Sequence, residues 1–474
     1  MAEQLQADYI VMGAGATGMA FVDTLLDESD ASVIMVDDHH QPGGHWNDAY
    51  PFVRLHQPSH YYGVASTPLG SMRIDEAGPN KGYFELATGN EVQSYFEQVM
   101  RERFLPSGRV RYFPMSQVAS FENGQVRFRN TLSGATQTVS VARKLVDTTF
   151  YKTTVPSRHR RRFEVADEVA CVTPNQLPLA APNHQRYCIL GAGKTAMDVG
   201  VWLLSHGAPA ESITWVCPRR SWLLNRAVVQ GHPSFFSESI GCFANQLEAL
   251  AQASDLEDLF ELLERCGFLL RIHDDQAPTM FHFAIISHGE IEQLKKIDQL
   301  IEDGRVASIA PDALHMASGR RINMAANTLY IDCTASATDF KDNETPPVFS
   351  ENLIRVQASR VPNACLSAAI AAYVEANYGD DETRNRICPP VPLPDSPASW
   401  LRSQLGNLTA QAMMLGEPKL REWVTNCRLD PFGAVIRDAD ENDPEQAAIV
   451  AKMRDFAMPA IANVQKLIAA NPDL

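Results

Sequence analysis

The stretch that decides the fold is YIVMGAGATG at residues 9–18, an apolar run followed at once by a glycine-rich turn. A helical pattern of apolar residues continues to Leu26, and a second apolar run, SVIMV at 32–36, ends in Asp37. Strand, GxGxxG turn, helix, strand and terminal acid are the parts of a dinucleotide-binding βαβ unit. Because all of them occur in order, we interpret the segment as such a unit and not as an ordinary glycine turn.

Each part of this first unit has a physical role. The first glycine permits a tight turn, the second lets the backbone approach a pyrophosphate, and the third lets the helix pack close to the strand. The helix N-terminus offers free N–H groups to phosphates, and the acid 19 residues after the third glycine accepts hydrogen bonds from ribose hydroxyls. The predicted cofactor contacts here are Gly13, Gly15, Thr17, Gly18 and Asp37.

A second unit begins with RYCILGAGKTA at residues 186–196 and continues through a helical pattern to the strand SITWV at 212–216. Its turn is a GxGxxA variant of the same fingerprint. A phosphate-binding P-loop would need glycine five positions before Gly193, where Cys188 stands, so ATP binding is excluded. The predicted cofactor contacts of this unit are Gly191, Gly193, Lys194 and Thr195.

The charge after the last strand differs between the two units. Where the first has Asp37, the second continues through Cys217 and Pro218 to Arg219 and Arg220. Arginines can bind a 2′-phosphate that a carboxylate would repel, so we interpret this unit as an NADPH site. The alternative is that both arginines belong to a solvated turn.

Composition bounds the remaining classes of function. The chain has 474 residues, a net charge of −16 and nine cysteines without a CxxC pair. The acidic charge opposes binding to nucleic acid or to anionic membranes, and the cysteine spacing opposes a disulfide framework. The N-terminal residues lack the pattern of a signal peptide, and no apolar run is long enough to span a membrane. We therefore expect a cytoplasmic protein.

The order of elements predicts an α/β fold in which the second nucleotide-binding domain is inserted into the first. Strands at 144–149 and 328–335 precede the two predicted domain changes, and a proline-rich linker follows Cys388. Helices are expected at 246–268, 290–302 and 458–469, with a strand at 304–309. The predicted domains are 1–155 (first domain, first part), 156–325 (inserted domain with a helical insert), 326–388 (first domain, second part) and 389–474 (linker and C-terminal helical extension).

The residues after Asp37 resemble those of the group B flavoprotein monooxygenases, the flavin-containing and Baeyer–Villiger enzymes. The chain has GGHW at 43–46 and YPFVRLHQPS at 50–59, where that family has GGxW and a YPGxRxDxPS-like stretch. Phe52 replaces the family's glycine and His56 its aspartate. The family fingerprint FxGxxxHxxxW is absent, and FYKTTVPSRH at 150–159 stands in its place. We classify the chain as a divergent branch.

The resemblance implies an FAD-binding Rossmann-like domain, an inserted NADPH-binding one, and oxygenation of a small organic molecule through a C4a-peroxyflavin. It places Gly44 and Trp46 at the flavin edge and makes Ser367, at a helix start, a contact of the flavin. Arg54, His56 and Tyr61 are the polar candidates for catalysis, although each is equally well explained as an ordinary structural residue. A flavin reductase, dehydrogenase or oxidase with the same cofactors remains the alternative, and a non-catalytic nucleotide-binding protein is a third.

Two further groups of residues have structural interpretations. His39, His40 and His45 share one loop without a second ligand cluster, so no metal site is predicted. The basic run at 157–162 is interpreted as an interdomain linker that pairs with carboxylates. The expected partners are therefore a small-molecule substrate and oxygen, with no nucleic acid and no membrane; a homo-oligomer is compatible with the sequence.

Overall fold

A computed structural model describes residues 5–336 and 345–470 of the chain. Within these residues there are twenty strands and thirteen α-helices, numbered here in chain order. The strands are β1 Leu5–Met12, β2 Val33–Val36, β3 Val110–Phe113, β4 Ser116–Glu122, β5 Gln125–Asn130, β6 Thr136–Asp147, β7 Glu164–Val165, β8 Cys171–Val172, β9 Arg186–Leu190, β10 Ile213–Val216, β11 Ser221–Asn225, β12 Leu269–Leu270, β13 Met280–Ile286, β14 Gln299–Ile301, β15 Val306–Ala310, β16 Ala313–Met316, β17 Arg321–Asn323, β18 Thr328–Asp332, β19 Phe349–Ser350 and β20 Leu353–Arg355. The helices are α1 Ala16–Glu28, α2 Gly89–Val99, α3 Leu177–Ala180, α4 Lys194–Ser205, α5 Cys242–Gln252, α6 Leu256–Arg265, α7 His288–Leu294, α8 Ala364–Asn377, α9 Asp381–Ile387, α10 Pro397–Gly416, α11 Pro418–Asn426, α12 Gly433–Arg437 and α13 Pro444–Ala470.

The first sheet is built around β1, which pairs in parallel with β2 and β6. Ile10 lies opposite Ile34 on one side and Leu145 on the other. The strand order is β19-β20-β6-β1-β2-β3, with β4 and β5 attached through β6. Helix α8 packs against α1 over this sheet and is buried along most of its length, because its small alanine side chains allow a close approach.

The second sheet has the order β14-β10-β9-β18-β8 and is wholly parallel. All five strands lie between β6 and β19 in the chain, so the inserted topology and the α/β class with a helical C-terminus are confirmed. One expectation is wrong: the first domain does not resume at 326, because β18 pairs with β9 and therefore extends the second sheet. The next strand of the first sheet is β19. The other domain boundaries stay predictions.

Two predicted helices differ in the structure: one is divided and the other ends early. The helix expected at 246–268 is interrupted between α5 and α6, where the Asp255 side chain accepts a hydrogen bond from Asp258 N and caps a new helix. The helix expected at 290–302 ends at Leu294, and Gln299–Ile301 instead forms β14 at the edge of the second sheet. Pairing with β10 overrides the local helical pattern there.

The C-terminal helices connect the two halves of the molecule. Trp400 of α10 and Leu467 of α13 are buried in one core with Phe260 and Phe281 of the inserted domain. Met414 of α10 and Leu420 of α11 are buried in the core of the first sheet. Helix α13 is longer than the predicted 458–469 and continues through Pro459. Across residues 5–336 and 345–470, no helix has the length and apolar character that a membrane crossing requires.

Candidate active site

The first glycine turn is tightly packed, and two of its glycines leave no room for a side chain. Gly13 has a φ of +102°, and a Cβ there would lie 2.6 Å from Thr148 Oγ1. A Cβ on Gly18 would lie 2.1 Å from the carbonyl oxygen of Gly13. Both positions therefore require glycine, one for the turn and one for helix packing, as the fingerprint predicts.

The start of α1 is open to an anionic group. Gly15 is its N-cap, no side chain caps it, and no acidic residue occupies the first turn. The hydroxyl of the half-buried Thr17 makes no hydrogen bond to another described residue, so it is free to donate. Gly44 packs on this turn, since a Cβ on it would lie 2.8 Å from Gly15 Cα. The structure thus places Gly44 beside the first glycine turn.

Asp37 is buried and already holds three hydrogen bonds. Its Oδ2 accepts from Ala14 N at 2.5 Å, and its Oδ1 accepts from both His39 N and His39 Nδ1 at 2.8 Å. His39 Nε2 lies 2.7 Å from Asp48 Oδ2. The hydrogen bond to Asp37 raises the pKa of His39 to about 9, and Asp48 adds to the effect. One acceptor position on Oδ2 remains for a ribose hydroxyl.

Salt bridges connect the acidic residues near His39 to the basic linker at 157–162. Arg158 pairs with Asp38 at 3.1 Å and with Asp48 at 2.8 Å, which confirms that the run at 157–162 pairs with carboxylates. Asp37, Asp38 and His39 lie close enough to offer ligands to a metal ion. Their mutual hydrogen bonds account for that grouping, and the absence of a metal site stays a prediction.

The second glycine turn has the same construction with a more open approach. Gly191 has a φ of +116°, and a Cβ there would lie 2.7 Å from the carbonyl oxygen of Cys333. Gly193 is the N-cap of α4 without a side-chain cap, and a Cβ on it would meet no atom of residues 5–336 or 345–470 within 4 Å. The N-terminus of α4 therefore has no side-chain cap that would compete with a phosphate.

Lys194 is not free to bind a phosphate, contrary to its predicted role. It is nearly buried and pairs with Asp198 and, at 2.9 Å, with Glu290 Oε1. Glu290 Oε2 in turn lies 2.7 Å from the buried Arg226. Burial acts to raise the pKa of Glu290, but Lys194 and Arg226 outweigh it and hold that pKa well below its ordinary value. We call Lys194, Asp198, Arg226 and Glu290 the junction cluster.

The segment after Gly44 runs between the two nucleotide-binding units. Tyr50 Oη donates a 2.6 Å hydrogen bond to Asp198 Oδ2, and Thr195 is a further neighbour of the same phenol. Phe52 stacks on Trp202 of α4 with ring centroids 5.2 Å apart. These contacts place Tyr50 and Phe52, within the stretch that carries the family resemblance, against α4.

His56 is the predicted catalytic residue that the structure places best. It is half-buried and makes no hydrogen bond to any residue in 5–336 or 345–470. Burial and then the charge of Lys194 lower its pKa to about 4, so the imidazole is neutral at neutral pH. An unpaired neutral imidazole beside the junction cluster can donate or accept one hydrogen bond.

The other two catalytic candidates lie in different surroundings. Arg54 is exposed and donates to the carbonyl oxygen of Leu86 at 2.9 Å. Tyr61 is buried, burial raises its pKa to about 12, and its hydroxyl donates to the carbonyl oxygen of Gly231. The contacts of all three side chains differ, so the structure does not assemble Arg54, His56 and Tyr61 into one catalytic group.

Trp46 and Ser367 have their polar atoms engaged within the protein. Trp46 is buried in the core of the first sheet and donates from Nε1 to Tyr62 Oη at 2.7 Å. The Ser367 hydroxyl accepts from Arg360 N at 3.0 Å and donates to the carbonyl oxygen of Asn363 at 2.8 Å. Ser367 is also not at the helix start, because α8 begins at Ala364 with Asn363 as its cap. Its contacts are those of a residue that shapes the loop before α8.

The two arginines of the second unit differ. Arg219 is exposed and forms no ion pair with a described residue. Arg220 is largely covered, and its guanidinium lies between Glu302 and Asp275, each at 2.5 Å at its shortest contact. Neither acid was expected from the sequence, because each is distant along the chain.

Sequence reasoning missed three residues that hold this region together. Arg226 and Glu290 belong to the junction cluster, and Arg428 of the C-terminal segment donates to the carbonyl oxygen of Thr67 at 2.9 Å. The Ser287–Glu290 capping box is the one local signal among them, since it marks the start of α7. The arginines occur in no motif.

The comparisons with known proteins agree with this architecture. The solved structure of polycyclic ketone monooxygenase from Thermothelomyces thermophila shares the fold with a TM-score of 0.51 at 12% identity, covering 100% of this chain and 89% of that one. The fold is thus that of the flavoproteins with two dinucleotide-binding domains.

Sequence relatives define the family. Uncharacterized protein Rv2000 of Mycobacterium tuberculosis and uncharacterized protein Mb2023 of Mycobacterium bovis are each 43% identical to the chain over 429 residues, or 90% of this chain and 78% of theirs. The chain belongs to the family of these mycobacterial proteins. No protein-family model matches it.

Proposed function

We propose that this chain is an NADPH-dependent FAD monooxygenase that oxygenates a small organic molecule with molecular oxygen. The observation that carries the proposal is the placement of two glycine turns. Each follows a strand that pairs in parallel with both of its neighbours, and the Tyr50–Asp198 hydrogen bond of 2.6 Å joins the regions that follow them. Parallel α/β sheets bind ligands at the carboxyl ends of their strands.

The residues of the first turn fit FAD. Glycines are required at 13 and 18, the N-terminus of α1 is uncapped, and Asp37 keeps one acceptor position. These groups would hold the pyrophosphate and a ribose hydroxyl. A bound FAD would supply the redox chemistry, accepting hydride from NADPH and activating oxygen. The second turn offers the open helix start at Gly193 to the nicotinamide cofactor.

The chain's own contribution to chemistry is position and exclusion of water. Phe52 stacked on Trp202 forms an apolar contact at the boundary between the two units. His56, next to that contact in sequence, provides one neutral hydrogen-bonding group near the charged junction cluster. Apolar contacts that exclude water suit a reactive oxygen species that water would break down.

A flavin reductase or oxidase is the second candidate. The observation in its favour is the segment 150–159, which stands where the monooxygenase fingerprint would be. Tyr151 of that segment accepts a 2.7 Å hydrogen bond from Ala358 N, so the segment is tied to the first unit. Such an enzyme would use the same two cofactors without stabilising an oxygenated flavin.

Stopped-flow absorption separates the two candidates. The purified yellow protein is reduced with NADPH without oxygen and then mixed with oxygenated buffer, with and without a panel of small ketones, amines and sulfides. A lasting near-ultraviolet transient, the signature of a C4a-peroxyflavin, would support the monooxygenase. Immediate return of oxidised flavin with stoichiometric peroxide under every condition would favour the oxidase or reductase. A protein that binds no flavin would remove both.

Small-molecule substrate and oxygen are the partners of this proposal. A cytoplasmic location and a homo-oligomeric state remain predictions from the sequence.

A further inference from the structure

The guanidinium of Arg220 has nearly all of its N–H donors bonded to carboxylate oxygens. Its Nε and Nη2 donate to the two oxygens of Glu302 at 2.5 and 2.9 Å. Its Nη1 and Nη2 donate to the two oxygens of Asp275 at 2.5 and 3.1 Å. Arginine has five N–H donors, and these four bonds leave one of them. Arg220 can therefore make a bidentate contact to a phosphate only if one carboxylate moves away.

We call Arg220, Glu302 and Asp275 the clamp, and it lies in the second nucleotide-binding unit. Cys217, which follows β10, donates its N–H to Ile301 at the end of β14, and Glu302 is the next residue. Arg220 also lines a cavity of about 30 Å³ with Ala192 of the glycine turn, Cys217 and His273. The clamp is thus at the carboxyl edge of the sheet, where the ribose of a dinucleotide lies in this type of unit.

Arg220 and its two carboxylates together carry a net negative charge, which the adjacent Arg219 balances. Glu302 and Asp275 carry two negative charges against the one positive charge of Arg220. Their hydrogen bonds, first that of Glu302, raise the pKa of Arg220 further above its ordinary value. Arg219 is exposed and forms no ion pair within the described residues, so it is the cation that remains available.

We propose that Glu302 and Asp275 set the nucleotide preference of the second unit by occupying Arg220. A 2′-phosphate is then bound by Arg219 and repelled by Glu302, so the site prefers NADPH over NADH only weakly. The inference rests on the proposed function, because it concerns the same nicotinamide site. It replaces the simpler expectation that both arginines bind the phosphate.

Binding of nucleotide fragments to the flavin-loaded protein tests this without turnover. The probes are adenosine 2′,5′-bisphosphate and 5′-AMP, which differ in the 2′-phosphate, and calorimetry gives the Kd of each. For the wild-type protein we expect a preference for the bisphosphate of less than about tenfold. An unobstructed arginine–phosphate pair is worth about tenfold or more.

Three variants separate the contributions of the charged groups. E302Q removes one charge and frees one edge of Arg220, so it should tighten bisphosphate binding about tenfold and leave 5′-AMP within twofold. D275N, at a more exposed acid, should act in the same direction and keeps the test valid if E302Q folds poorly. R219A should reduce the preference to about one.

The matched control is D303N, which removes a neighbouring charge whose carboxylate contacts Ser318 at 2.9 Å. It should change neither Kd more than twofold. If the wild-type protein binds both probes but E302Q and D275N leave the preference unchanged, or R219A keeps it, the inference is wrong while the proposed function stands. If the wild-type protein binds neither probe, the proposed nicotinamide site fails and the inference fails with it.

Discussion

Tyr50 Oη lies 2.6 Å from Asp198 Oδ2, and this hydrogen bond joins the segment after the first glycine turn to the helix that begins at the second. Asp198 also pairs with Lys194, so the phenol is attached to the edge of the junction cluster. Burial and the charge of Asp198 raise the pKa of Tyr50 well above its ordinary value, which keeps it a donor. A hydrogen bond between a neutral phenol and a carboxylate that is itself paired with Lys194 therefore connects the two units.

Replacing Tyr50 with phenylalanine tests the strength of that connection. Y50F removes one hydrogen bond to a charged acceptor and leaves the ring in place, so we expect a loss of about 1–2 kcal/mol in stability. Y112F is the matched control, since the buried Tyr112 hydroxyl has no hydrogen-bond partner among the described residues. Denaturant unfolding should show Y112F at or above the wild-type midpoint and Y50F below it. Equal midpoints for the two variants would contradict the assignment.

The junction cluster predicts a dependence on acid pH. Glu290 has a lowered pKa in the folded state, so its contribution is fully present above the ordinary glutamate pKa and is lost as pH falls through the folded value. K194M removes one of its two cations, which should cost about 3 kcal/mol at neutral pH because it leaves buried carboxylates underpaired.

K194M should also shift acid unfolding to higher pH, because the pKa of Glu290 then rises. The matched control is K295M, at an exposed lysine that pairs with Asp274 at 3.1 Å. It should change stability by less than about 0.5 kcal/mol and leave the acid transition in place. Circular dichroism from neutral pH down to strongly acidic pH, below the ordinary glutamate pKa, follows both variants. An unshifted acid transition in K194M would show that Glu290 does not depend on Lys194.

His39 predicts a second, alkaline dependence. Its folded pKa is raised to about 9 by Asp37 and Asp48, so the stability it contributes is fully present below about pH 6.5 and is lost as pH rises through 9. We expect roughly 2 kcal/mol to disappear over that window. H39Q should flatten this part of the thermal-melting profile, whereas H40Q, at the exposed neighbouring histidine, should keep it. An unchanged profile in H39Q would show that the contacts of His39 with Asp37 and Asp48 do not cause the alkaline loss of stability.

The contacts of Arg428 predict that the C-terminal extension holds the segment 60–67 in place. Its guanidinium donates to carbonyl oxygens in the segment 60–67, including Thr67 at 2.9 Å, and forms no ion pair with a described residue. R428Q should therefore lower stability by about 2–3 kcal/mol and speed hydrogen exchange in peptides covering 60–67. R421Q, at an exposed arginine of the same region, should do neither. Unchanged exchange in R428Q would show that the segment is held by other contacts.

The parts of the fold that the sequence predicts are those determined by short-range pattern. The turns at Gly13 and Gly191 are predictable because each glycine directly follows an apolar strand, and both occur where the fingerprint places them. The hydrogen bond from Arg428 to Thr67 joins residues 361 positions apart, and no local sequence pattern predicts it. Arg220 illustrates the limit best: the sequence shows its charge, whereas its availability depends on Glu302 and Asp275, which folding brings to it.

His56 provides the last prediction, which concerns chemistry. H56Q keeps a polar side chain but removes the imidazole beside the junction cluster, and we expect substrate oxygenation to fall about 10–100-fold. Anaerobic reduction of the flavin by NADPH should change less than threefold, because the predicted effect lies after that step. Peroxide released per NADPH consumed should rise. H288Q, at an exposed histidine of α7, is the matched control and should resemble the wild-type protein in all three measurements.

The pH profile adds an independent test of the same residue. Because burial and Lys194 lower the pKa of His56 to about 4, its imidazole stays neutral between pH 6 and 8. The ratio of wild-type to H56Q oxygenation rates should therefore be constant over that range. A ratio that falls steeply below pH 7 would mean that His56 is protonated there and that its surroundings are not those of a dry, cation-flanked site. An unchanged oxygenation rate in H56Q would leave His56 as a structural residue of the boundary between the two units.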